Sequence, residues 1–118
     1  MDLIIGGAYQ GKLDYAKEKY GLSENDVFDC SEDRDLDTSK RCIYHYEKYL
    51  MYCYEKGISP LLKLEGSIVI ADDIFCGVVP VDAKIRAWRE YCGRSLAALT
   101  RKADSVTRIF CGLPQVLK

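Results

Sequence analysis

Residues 3–14 read LIIGGAYQGKLD, a short apolar run that breaks into Gly6, Gly7, Gly11 and Lys12. A strand, a G-x-x-x-x-G-K turn and a helix start in that order aim several backbone N–H groups at one point, and the helix N-terminus adds partial positive charge. A polyphosphate fits that point. Gly6, Gly7, Ala8, Tyr9, Gln10 and Gly11 would form the cradle, and Lys12 would reach the outer phosphates. The next position is Leu13, where the pattern asks for a Ser or Thr hydroxyl to hold Mg²⁺. Leucine has no oxygen for a metal, so phosphate binding and Mg²⁺-dependent catalysis are separate questions.

Outward from this loop the chain alternates strand and helix patterns. LIIGG at 3–7 reads as the first strand, and 12–20 as a helix with Leu13, Ala16 and Tyr20 on one face, closed by Gly21. A short strand follows near 27–30. After an acidic loop, the spacing of Ile43, Tyr46, Leu50 and Cys53 predicts a helix from about 38 to 56, stopped at Gly57. SIVIA at 67–71 is a continuous apolar strand of the kind buried on both faces. Asp82 can cap a helix to about 102, along which Ile85, Trp88, Cys92, Leu96 and Leu99 keep a spacing of three or four, and TRIFCG at 107–112 reads as the last strand. The order β-α-β-α-β-α-β implies a mainly parallel sheet with helices packed against it.

Length and composition bound the function. The 118 residues make a single domain, 1–118, small for a nucleotide-dependent enzyme. Seventeen basic and eighteen acidic residues give a formal charge of −1, which exerts no general pull on nucleic acid or anionic membrane. The apolar runs fall far short of the roughly 20 residues of a membrane span, and Asp2 stands where a signal peptide is basic, so a cytoplasmic location is expected. Six cysteines, at 30, 42, 53, 76, 92 and 111, form no C-x-x-C pair and read as free thiols, with Cys42, Cys53 and Cys92 in helical patterns and Cys111 in a strand.

Three further features carry candidate chemistry. Asp72 and Asp73 follow SIVIA at the carboxyl end of a strand, where open α/β sheets bind ligands; they either hold Mg²⁺ or nucleotide, or simply solvate a turn. His45 falls in the middle of the second helical pattern, with Arg41 one turn before it on the same face, and serves as nucleophile, as base, or in packing. The surrounding Tyr44, Tyr46, Tyr49, Tyr52 and Tyr54 either stack a base or pack. Separately, IFCGVVPV at 74–81 is unusually apolar for a connection, which points to a subunit contact and a homo-oligomer, or to a loop folded over its own sheet.

The chain resembles the bifunctional adenosylcobinamide kinase/adenosylcobinamide-phosphate guanylyltransferase family of cobalamin biosynthesis. LIIGGAYQGKLDYA is similar to that family's strand, GGxxSGKS turn and helix. IVIADDIFCGVVPVDAKIRAWREYCGRSLAAL resembles its apolar strand, TNEVGxGIVP and RxFRDxxGRxNxxLA helix, followed by ADxV and a strand ending GxPxxxK, over about fifty residues. Asp35, Asp37, Arg41 and His45 match the family's acidic stretch, arginine and histidine. Departures accompany these matches. Tyr49-Leu50 stands where the family has Arg-Pro, Leu96 replaces its Asn, Asp73 its Glu and Leu13 its Ser, and a central block with an Asp-Cys-Leu-Thr strand end has no counterpart.

The resemblance implies a minimal P-loop NTPase-like (RecA-like) fold, ATP or GTP as nucleotide, and a trimer. It implies phosphorylation of the aminopropanol hydroxyl of adenosylcobinamide and GMP transfer through His45, with Gly6 to Leu13, Arg41, Asp72 and Asp73 around the nucleotide. The lost polar positions leave a second expectation open, a non-catalytic relative that binds a nucleotide or a protein partner. Losing metal ligands and positioned charge costs phosphoryl transfer orders of magnitude in rate.

Overall fold

Short apolar strands joined in part by amphipathic helices can bury both faces of a sheet only if the helices divide between those faces. The chain does this. The computed structural model describes residues 1–33, 35–73 and 82–118. In chain order they form β1 (Asp2–Gly6), α1 (Lys12–Tyr20), a short 3₁₀ turn (Glu24–Asp26), β2 (Val27–Asp29), β3 (Cys42–Tyr44), α2 (Tyr46–Lys56), β4 (Ile68–Asp72), α3 (Ala83–Lys102), β5 (Ser105–Phe110) and β6 (Leu113–Val116). The strands make one six-stranded sheet in the order β2-β3-β4-β1-β5-β6, parallel except for β6. This is a mixed α/β architecture compatible with the Rossmann-like and P-loop-like class. No helix among the described residues is long and apolar enough to cross a membrane.

Strand alternation splits the core in two. Leu3, Val69, Ala71, Val106 and Ile43 face one side, where Leu50 of α2 and Cys92, Leu96 and Leu99 of α3 cover them. Ile4, Ile68, Ile70, Cys42 and Ile109 face the other, against Ala16 and Leu13 of α1. Helix ends fall where local chemistry sets them. Gly21 and Gly57 close α1 and α2 in the left-handed conformation, and the Asp82 carboxylate accepts from the backbone N–H of Lys84 and Ile85 to open α3.

Two elements differ from the sequence expectation. The stretch expected as one helix from about 38 to 56 is strand β3, then His45 alone in the left-handed conformation at φ 57°, then α2. Ile43 continues the spacing of Tyr46, Leu50 and Cys53 only by coincidence, since it faces the core from a strand. A three-residue parallel slot between β2 and β4 outweighs helical periodicity here, and β-branched and aromatic residues suit it. Cys42 accordingly lies in a strand, not a helix. The final strand also ends earlier, at Phe110. Cys111 and Gly112 both take positive φ and turn the chain into β6, a two-residue hairpin that the strand pattern through Gly112 did not reveal. The apolar stretch 74–81, expected as a subunit contact or as a loop folded over its own sheet, and Cys76 within it lie outside the described residues.

Candidate functional site

The carboxyl ends of β1, β3 and β4, neighbours in the sheet, converge on a cavity of about 280 Å³ lined by Ala8, Tyr9, Lys12, Tyr44, His45, Lys48 and Asp72. Three segments far apart in sequence thus deliver a lysine, a histidine and an aspartate to one place.

The glycine loop between β1 and α1 forms the first wall. Gly6 ends β1 so close to β5 that an added Cβ would stand 2.5 Å from the Ile109 carbonyl oxygen. The loop is tied at its other end to the β5–β6 turn, because the Gln10 side-chain oxygen accepts from the Cys111 N–H and the Gln10 carbonyl from that of Gly112. Tyr9, fully exposed at the mouth, holds a positive φ of 60°, a conformation that costs a non-glycine residue energy and recurs at ligand sites. Gly11 opens α1 without a side chain to cap the N–H groups of the first turn. Lys12 turns inward and is buried. Its ammonium donates to the Gly7 carbonyl at 2.6 Å and pairs with Asp72 Oδ1 at 2.7 Å. Leu13 is partly buried and packs against the core cluster that contains Ala16 of α1. The residues at this end of α1 therefore do not fit the hydroxyl-and-carboxylate pair that holds Mg²⁺ beside a phosphate loop.

The second wall is the β3–α2 junction. His45 joins strand to helix as a single left-handed residue, a conformation that histidine tolerates better than most side chains. Its ring stacks on Tyr44 with centroids 3.7 Å apart, and Nδ1 lies 2.8 Å from Asp29 Oδ1 at the end of β2. A carboxylate accepts, so Nδ1 carries the proton of this contact, which in the neutral ring leaves the lone pair on Nε2. Burial raises the Asp29 carboxyl, but hydrogen bonds from His45 and from the Ser31 hydroxyl and N–H outweigh it, leaving the group below its ordinary value. Two residues on, Glu47 is 1 % exposed. Burial pushes its carboxyl up, against the Asp72 N–H that donates to Oε1 at 2.8 Å, while the Asp72 charge adds to the rise. Glu47 Oε2 has no hydrogen-bond partner among the described residues.

The expected site residues separate cleanly by position. His45, Lys12, Asp72, Ala8 and Tyr9 share the cavity. Gly6, Gly7, Gln10 and Gly11 shape the loop, and Asp73 follows Asp72, its N–H donating to the Gly6 carbonyl at 2.7 Å. Arg41 is not there. It precedes β3 while His45 follows it, and its guanidinium reaches the Tyr20 carbonyl and Asp26 instead. A strand rises ~3.3 Å per residue, so the two lie at opposite ends of β3 rather than on one helical face. Of the tyrosines around His45, Tyr46 and Tyr49 bind the Leu61 carbonyl and N–H respectively, whereas Tyr44 lines the cavity together with Tyr9 of the glycine loop. Asp29, Glu47 and Lys48 also stand at the site, outside the expected set. Asp29 carried the same signal as Asp72, an acidic residue ending a short strand, and Glu47 stood two residues from the one histidine.

No protein-family model matches the chain, and no curated protein matches it.

Proposed function

We propose that this protein binds a nucleoside triphosphate in the cavity between the glycine loop and the β3–α2 junction and acts as a nucleotidyl- or phosphotransferase related to the adenosylcobinamide kinase/guanylyltransferases. The observation that carries this reading is the meeting of Lys12, His45 and Asp72 in one cavity at the carboxyl ends of adjacent parallel strands. In this reading the glycine loop and the uncapped start of α1 take the phosphates, and Lys12 leaves the Gly7 carbonyl to meet them.

His45 is suited to the covalent step. With Nδ1–H held by Asp29, Nε2 attacks the α-phosphorus of GTP. A P–N bond forms, the bond from that phosphorus to the bridging oxygen breaks, and pyrophosphate leaves with the electron pair. Asp29 stabilises the positive charge that develops on the ring. The GMP group would then pass to a corrinoid phosphate, or the γ-phosphoryl of ATP or GTP to the corrinoid hydroxyl.

Leu13 favours a second reading, nucleotide binding without turnover, since the side chain that should meet a metal has no oxygen and packs against the core. Incubation with labelled GTP followed by mass spectrometry separates the two. The transferase reading expects a GMP mass increment on the wild-type chain that is absent in His45→Ala and slowed in Asp29→Asn. Thermal stabilisation by ATP or GTP without an adduct leaves the binding reading alone. No stabilisation by either nucleotide refutes both, because a ligand selective for the folded state must raise its melting temperature.

A further inference from the structure

His45, Glu47 and Asp72 each offer a ligand atom, and these atoms all lie within 4.8 Å of one another. They come from the β3–α2 junction and the end of β4, held in place by the Asp72 N–H bond to Glu47 Oε1. Ligands of a tetrahedral ion with bonds of ~2.1 Å stand ~3.4 Å apart, so displacements of about an ångström or less per side chain would close the set. Two features go beyond proximity. Glu47 is almost wholly buried yet Oε2 has no hydrogen-bond partner among the described residues, an arrangement that costs stability unless a cation or donor arrives. His45 is already oriented by Asp29 on Nδ1, the carboxylate–histidine arrangement that presents Nε2 to a metal in a fixed tautomer.

We infer that His45 Nε2, Glu47 and Asp72 form a site for one borderline divalent transition-metal ion, of which Zn²⁺ is the representative. One imidazole and two carboxylates suit such an ion better than Mg²⁺, which prefers oxygen ligands and retains its waters. Three protein ligands leave a coordination position for solvent or for an anion in the cavity. The site needs no nucleotide. It does place the ion on the same nitrogen that the nucleotidyl-transfer reading uses, so the ion excludes a GMP adduct on His45. The Lys12 ammonium, 2.7 Å from Asp72 Oδ1, opposes the ion and keeps its affinity down.

The test is calorimetric titration of the chelator-stripped full chain with Zn²⁺ alone, paralleled by the absorption spectrum of the Co²⁺-loaded chain. We expect one ion per chain, binding at least about tenfold weaker in His45→Ala and in Glu47→Gln, and about tenfold weaker in Asp29→Asn although Asp29 is not a ligand. Lys12→Gln should tighten Zn²⁺ while weakening any nucleotide. Glu47→Gln keeps the acceptor for the Asp72 N–H, and its thermal melt verifies folding. Absence of stoichiometric Zn²⁺ binding to the wild-type chain, or binding unaltered in folded Glu47→Gln, overturns the site. Zn²⁺ binding without any nucleotide-induced stabilisation upholds the metal site while the nucleotide reading fails. A GMP adduct that forms equally well with Zn²⁺ saturating overturns the assignment of Nε2 as a ligand.

Discussion

Replacing Gly6 by alanine tests how tightly the glycine loop is anchored to the sheet. Gly6 pairs with Asp72 on one side and Ile109 on the other, so its backbone is confined between two strands. The added Cβ would sit 2.5 Å from the Ile109 oxygen, 3.4 Å from its carbonyl carbon and 3.5 Å from its nitrogen. All three atoms are backbone, so no rotamer relieves the clash. Carbon–oxygen contacts settle near ~3.3 Å, which asks β1 and β5 to part by about 0.8 Å. Overpacking of this kind costs about 1–3 kcal/mol, and at ~4 °C per kcal/mol for a chain of this length the melting temperature should fall by ~4–12 °C. Gly7→Ala is the matched control. A Cβ there would meet only the Gln10 side chain at 3.6 and 3.9 Å, and Gly7 is not at positive φ, so its melting temperature should hold or rise slightly. Thermal denaturation followed by circular dichroism measures both. A Gly6→Ala chain melting within ~1 °C of the parent would refute the argument that the loop is wedged against β5.

Three other outcomes are expected. Leu50 of α2 is fully buried between sheet and α3, so Leu50→Ala should lose ~2–5 kcal/mol in urea unfolding, with an unchanged midpoint counting against the packing described. The Asp26 carboxyl is held below its usual range chiefly by the Ser23 N–H, and next by the Ser23 hydroxyl. A depressed folded pKa stabilises above the unfolded value, near ~4, and the contribution is lost as pH falls through the folded value. The stability difference between wild type and Asp26→Asn should therefore be present at neutral pH and shrink in acid, and a difference that widens below pH ~4 contradicts it. Among the described cysteines, Cys30, Cys42, Cys53 and Cys92 are buried and Cys111 is exposed. Burial pushes the Cys42 and Cys92 thiols up to about 12, so iodoacetamide at neutral pH should alkylate Cys111 well before either, as peptide mass spectrometry would show; equal labelling would be inconsistent with this core.

The parts of the fold legible in the sequence were those whose signal is local. Gly21, Gly57 and Asp82 mark helix ends by conformational and capping chemistry that neighbours do not override. SIVIA announces a buried strand because both faces must be apolar at once. Strand β3 was illegible because its three residues carry too short a pattern, and the helix after it supplied a period into which Ile43 happened to fall. That single misreading moved His45 from a strand-to-helix junction into a helix and put Arg41 beside it. The site was visible in part, since Lys12, His45 and Asp72 each carried a recognisable chemical role. Asp29 and Glu47 join the site only through the sheet order, which sets β3 between β2 and β4.

One structural detail bears on how this chain tolerates change in length. Strand β3 passes into α2 through His45 alone, with no spare residue on either side. Adding or deleting one residue between Tyr44 and Glu47 would either rotate the first turn of α2 by ~100° or shift β3 by one place and exchange its faces. Either change carries His45 away from Asp29, or Glu47 away from the Asp72 N–H. Insertions in the connection from Gly57 to Ser67 disturb neither contact. Around α2, added length is therefore tolerated at the far end and not at the near one, and the spacing from Tyr44 to Glu47 is as much a part of the site as the side chains it positions.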